Sequence, residues 1–174
     1  MPLSLHAAFV PTTLQILGAS LGWLDKAAAS GIAESELVEA RLIADMFPFS
    51  YQVKSCAVHS QGAIEGLRQG VFSPDMTEPP QTLSGLRERV EGAIAFLEGV
   101  SEDELEGMIG QPMRFEFGDF RLDFTAESFL LSFSQPNFFF HATTAYDLLR
   151  MKGIEIGKRD FVGQTRILDI SKAG

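Results

Sequence analysis

Cysteine, histidine and basic residues are all scarce in this chain: one Cys, three His, and 14 Lys plus Arg against 23 Asp plus Glu in 174 residues. A single thiol, Cys56, excludes an internal disulfide and fits a reducing compartment. The formal charge of -9, with the few bases scattered along the chain, argues against a phosphate-tracking surface, so nucleic acid is not an expected partner. Long apolar runs are also missing. None approaches the roughly 20 residues that span a bilayer, and the N-terminus has no basic segment leading into an apolar stretch. The expectation is a cytoplasmic protein with no membrane partner.

What the chain does have is apolar content, 45% of its residues including 15 Phe, enough for the core of one compact domain. Residues 1–163 read as a single helical domain and 164–174 as a C-terminal tail. Phe9, Val10, Thr13, Leu14, Leu17, Leu21 and Leu24 recur at spacings of three and four, predicting a helix over 4–30 that must kink at or begin near Pro11. A short turn of helix is expected over 34–40. A second long helix runs over 47–69, capped by Asp45 and stopped by Gly70.

Thr82 caps a third helix whose stripe is Leu83, Leu86, Val90, Ile94 and Leu97, ending near Gly99. Ser101 followed by Glu102-Asp103-Glu104 reads as the acidic first turn of a short helix. Apolar and polar residues alternate over 115–124 around Gly118-Asp119, predicting a small hairpin. The fourth long helix starts after Thr125, bends at Pro136 and stops at Gly153. The segment 153–163 has no helical period and should lie along the body. The fold class is therefore all-α, a four-helix bundle with a small β-hairpin insert before the last long helix.

Two polar side chains sit four residues apart on the fourth helix, Asn137 and His141, and so share a face among phenylalanines. His59 lies on the second helix. If the two faces oppose, His59, Asn137 and His141 converge, and three donors with open positions are what a catalytic metal site requires. The alternative is a buried histidine satisfied by an amide or hydroxyl such as Asn137 or Thr144. His6, in the first helical turn, reads as a cap or surface residue. Cys56, one turn before His59, is a weak further donor, and Tyr146 a residue that could orient a bound partner.

Other patterns carry less. Gly18-Ala19-Ser20-Leu21-Gly22 has nucleophile-elbow spacing but sits inside a helix, so it reads as a close-packing patch. Glu-x-x-His pairs, His-Glu-x-x-His, Cys-x-x-Cys and phosphate-cradling glycine loops are absent. Lys158-Arg159 should pair with the acidic body. Phe138, Phe139 and Phe140 cannot all face one way, so one or two should reach an interface.

The chain resembles the bacterial DinB/YfiT-like four-helix bundles, and within them a subgroup of unknown function. The resemblance rests on Ala40-Arg41-Leu42, Asp45-Met46-Phe47-Pro48, Gln52-Val53, His59, Pro136-Asn137-Phe138, His141-Ala142-Thr143-Thr144-Ala145-Tyr146 and Gly157-Lys158-Arg159-Asp160-Phe161. It implies a divalent metal such as nickel or zinc, with iron or manganese as further candidates, held by a second-helix histidine and a His-x-x-x-His pair. His59 matches the first and His141 the second member of the pair. Asn137 stands where the pair's first histidine would be, and an amide oxygen is the weaker ligand. The resemblance further implies transfer or hydrolysis chemistry on a small thiol or electrophile. The competing reading is a non-catalytic homodimer, joined through an apolar helix face, whose polar cluster fixes packing or binds a small ligand.

Overall fold

Ser4 begins the first helix by accepting the Ala7 amide on its hydroxyl at 3.1 Å. The computed structural model from which the fold is described covers residues 2–168. Helix α1 (Leu5–Ala28) runs through Pro11 without interruption and buries Phe9, Leu17, Trp23 and Leu24. By length and composition alone α1 could cross a bilayer, but ten of its side chains are buried in the protein core.

Helix α2 (Glu34–Val38) follows, then the turn containing Asp45. Asp45 caps nothing. Helix α3 (Phe49–Ala57) is preceded by Pro48 in extended conformation, and no side chain caps it. Proline disfavours helical backbone at the residue before it, so Phe47 cannot begin a helix. The Gln52 side-chain amide instead ties back to the Phe47 carbonyl at 2.9 Å.

The second long helical stretch is not uniform. A π-helical turn (Val58–Gly62) separates α3 from α4 (Ala63–Gln69). Gly70, at φ 75°, ends α4 in the left-handed region and turns the chain into β1 (Val71–Phe72). Two residues carry no periodicity, which is why β1 is not legible in the sequence. It pairs in parallel with Arg114 and Phe115 of β2 (Pro112–Phe117), and β2 pairs antiparallel with β3 (Phe120–Thr125). The expected hairpin is thus part of a three-stranded sheet, and the domain is mostly rather than purely helical.

Helix α5 (Leu83–Glu98) starts at Thr82, which accepts the Gly85 amide, and α6 (Glu102–Glu106) starts at Ser101, which accepts the Glu104 amide. Thr125 and Ser128 form a capping box at α7 (Ala126–Ser128). A second π-helical turn (Phe129–Ser134) then leads into α8 (Gln135–Met151). Pro136 falls in the first turn of α8, where a missing N–H is tolerated. Helix α1 packs on α5 and α8, and α3 packs on α8 and α5. Phe49, Ile64, Leu86, Phe129, Phe138 and Leu148 are fully buried between them.

The segment after Gly153 contains a short helix, α9 (Lys158–Val162), against expectation. Asp160 makes it: its carboxylate accepts the Gly157 amide at 2.7 Å and pairs with Lys26 at 2.7 Å, while its carbonyl accepts the Trp23 indole N–H at 2.8 Å. Phe161 stacks on Trp23 with ring centres 5.4 Å apart. The expected ion pairs of Lys158 and Arg159 are absent among the described residues. Gly18 and Gly22 are not a close-packing patch either, since an added Cβ at either meets no atom within 4 Å. Ala19 is the approached residue, by Gly163. Of the tail, residues 169–174 lie outside the described residues.

Lys54 is a buried cation that the sequence did not announce. At 3% side-chain exposure, its ammonium donates to the Asp75 and Thr77 carbonyls at 2.9 and 2.5 Å and to the Thr77 hydroxyl at 3.0 Å, and pairs with the Asp75 carboxylate at 2.9 Å. It pins the loop between β1 and α5 to α3. Lys54→Met should strand these oxygens and cost roughly 3 kcal/mol in urea unfolding. Asp75→Asn, which leaves both carbonyls in place, should cost less than half as much.

Candidate functional site

His59 sits within the first π-helical turn and His141 on α8, and the packing of α3 on α8 brings their rings side by side. The ring centres are 5.5 Å apart and the planes 17° from parallel. Each histidine meets a polar residue from the opposite stretch. His141 Nδ1 lies 2.7 Å from Gln52 Oε1, and Ser134 Oγ lies 3.5 Å from His59 Nδ1 while donating to the His59 carbonyl at 3.0 Å.

Gln52 determines the His141 tautomer. Its NH2 donates to the Phe47 carbonyl, so the end facing His141 is the acceptor oxygen, and His141 Nδ1 must carry the proton. Nε2 then holds a lone pair. Neither ring's Nε2 has a hydrogen-bond partner among the described residues, and neither is an orphaned buried atom. This is the arrangement of a ligating imidazole, whose outer N–H is held by an acceptor in the next shell.

Apolar rings surround the pair. Phe72 and Phe133 flank His59, with centres 5.5 and 6.1 Å away, and Tyr51 and Phe140 meet His141 edge-on at 6.1 and 5.3 Å. Burial penalises the imidazolium form of both rings. It holds His59 down to about 3, helped by repulsion from His141, and His141 down to about 4. Both are neutral near pH 7.

Asn137 does not join this cluster by any hydrogen bond. Its amide nitrogen donates to the Phe133 carbonyl at 2.7 Å, one turn back on its own helix. Its oxygen has no hydrogen-bond partner among the described residues. No group of three or more His, Cys, Asp or Glu able to hold a metal ion occurs among the described residues. Cys56 contributes nothing to a metal site: its thiol donates to the Gln52 carbonyl at 3.3 Å, and burial pushes it up to about 12. Tyr146 packs against Trp23 and Phe161 instead of the histidines. His6 bonds the Val100 carbonyl at 3.0 Å. Of the three phenylalanines, Phe138 is core and Phe140 is 53% exposed beside His141.

Gln52 and Ser134 were missed as site residues, although the sequence held a signal. Gln52 lies seven residues before His59 and Ser134 seven before His141, so each helical stretch offers a polar residue two turns from its histidine. The pairing crosses over: each partner serves the other stretch's histidine.

A mostly helical domain with paired neutral imidazoles between two of its long stretches is the class that fold and site define. Residues 5–162 match the family described as a domain of unknown function, DUF1993, and the chain belongs to that family. It is also similar to a DinB family member protein from Shewanella denitrificans, whose crystal structure at 1.83 Å covers 94% of each chain at 26% identity and a TM-score of 0.78. The domain is DinB-like. No curated protein matches the chain.

The depressed histidines make stability depend on pH. A folded value of about 3 or 4 against 6.5 unfolded means that the unfolded chain binds more protons between these values. The contribution is complete above pH 6.5, falls as pH drops through 6.5 towards 4, and levels off below the folded values. Urea unfolding in chelator should show this fall, and His59→Gln/His141→Gln should flatten it.

Proposed function

We propose that His59 and His141 bind a divalent cation, nickel or zinc before iron or manganese, and that this DinB-type four-helix bundle is a metal-dependent transferase or hydrolase acting on a small thiol or electrophile. The observation that carries the reading is the Gln52–His141 hydrogen bond, which leaves Nε2 unprotonated beside a second neutral imidazole. Asn137 fits as a third, weaker donor, since the bond to Phe133 occupies its nitrogen and leaves its oxygen unpaired. A divalent ion supplies Lewis acidity, lowering the pKa of water or a thiol towards neutrality.

The chain's own residues do the rest. Gln52 fixes the His141 ring through Nδ1, and Ser134 does the same, more loosely, for His59. Phe72, Phe133, Tyr51 and Phe140 pack against the two rings, and the partial burial that results keeps both neutral over the working pH range.

A second reading has its own support. With no cluster of three strong donors among the described residues, the pair also suits a non-catalytic, dimeric bundle whose buried polar cluster fixes packing or binds a small ligand. Elemental analysis of tag-free protein separates the two. The first reading predicts about one nickel or zinc per chain, lost in His59→Ala/His141→Ala, and a melting temperature raised by added ion, equivalent to about 2.7 kcal/mol at a hundredfold excess over Kd. No retained metal and no shift with any of the four ions would discard it in favour of the second.

A further inference from the structure

Beside His141, across the Tyr51 ring, lies a cavity of about 450 Å³ that the histidine pair does not use. Its volume suits a small molecule. One wall is an aromatic platform: Phe47 and Tyr51 stack with centres 4.0 Å apart and planes 19° from parallel. Phe47 stays 51% exposed on that wall and Met76, also lining the cavity, 59% exposed. Large apolar side chains left open on the walls of one cavity, one of them a thioether, are what a flat apolar ligand would cover.

Two further features show a built site. Met76 is held between Asp75 and Thr77, the two residues caged on the Lys54 ammonium, so its backbone is fixed before any ligand arrives. Ser50 also lines the cavity. It is 1% exposed, and its hydroxyl is the one buried side-chain polar atom without a hydrogen-bond partner among the described residues. An orphaned hydroxyl in the wall of a cavity is accounted for if the occupant supplies its partner.

Charge narrows the ligand class. Glu39 and Glu78 line the cavity with Arg41 as the cation opposing them, and the chain carries -9 overall. An anion would meet net repulsion there, while Gln81 offers a neutral amide whose oxygen is not engaged by Pro79. We infer that this cavity is a binding site for a planar aromatic molecule that carries no negative charge and bears an amide or similar hydrogen-bonding group. The aromatic plane lies on the open face of Phe47, which Tyr51 backs from the other side, and is covered by Met76, and the polar edge reaches Ser50.

The test uses the full chain in chelator, with 2-naphthamide, 2-naphthoate and the saturated decahydro-2-naphthamide as probes in calorimetric titrations. The naphthamide should bind at least tenfold more tightly than either of the others. Phe47→Ala should weaken it about tenfold and Ser50→Ala several-fold. Both Phe47 and Met76 are exposed, so if Phe47→Ala were to fold poorly, Met76→Ala gives the same reading with a smaller loss. His59→Ala/His141→Ala should bind the naphthamide unchanged, so failure of the metal reading and failure of this one are separable. No saturable binding up to about 1 mM naphthamide, equal affinity for the naphthoate, or indifference to both apolar substitutions would overturn the inference.

Discussion

Everything distinctive in this domain depends on how α3 and α8 meet. Each stretch carries a π-helical turn near the crossing, Val58–Gly62 in one and Phe129–Ser134 in the other. A turn closed five residues apart accommodates one more residue than an α-turn and shifts the phase of the side chains beyond it. Between these turns the structure places an imidazole, a hydroxyl, a second imidazole and an amide among aromatic rings. Such a group is costly unless its members satisfy one another. They do so in a crossed pattern, Gln52 to His141 and Ser134 to His59. Removing the Gln52 amide would leave the half-buried His141 ring free to flip and its Nδ1 proton without an acceptor.

The same segment organises the ground beside the site. Gln52 uses one end of its amide for His141 and the other for the Phe47 carbonyl, so the residue that fixes the imidazole also fixes the start of the aromatic platform. Two residues on, Lys54 holds the loop that carries Met76. Five consecutive positions of α3, Ser50 to Lys54, therefore supply the orphaned hydroxyl, the shared Tyr51 ring, the orienting amide, a core valine and the buried ammonium. The Trp23, Tyr146 and Phe161 cluster is separate and serves to dock α9.

Local rules carried much of this fold into view. Thr82 caps where expected, helices follow Ser101 and Thr125 as expected, Gly70 stops α4, and the alternation over 115–124 forms the hairpin. The meeting of His59 with His141 was legible only as a condition, that the two helix faces oppose each other, and the packing of α3 on α8 meets it. Non-local terms hid the rest. Strand β1 exists because β2 lies beside it, α9 because Trp23 and Lys26 hold Asp160, and the π-turns leave no compositional mark. Asp45 looked like a cap, but the Pro48 ring decided where the helix could start. Tyr146 looked free to serve the site, but Trp23 and Phe161 claim it.

The central claim is that both histidines are neutral and that His141 is locked with its proton on Nδ1 and its lone pair on Nε2. Long-range proton–nitrogen NMR of the metal-free protein, nitrogen-labelled at histidine, reads this directly. The account predicts a protonated Nδ1 and an unprotonated Nε2 for His141, unchanged from pH 8 down to pH 5, with averaging restored by Gln52→Leu. A protonated Nε2, tautomers averaging in the parent protein, or titration near 6.5 would contradict it.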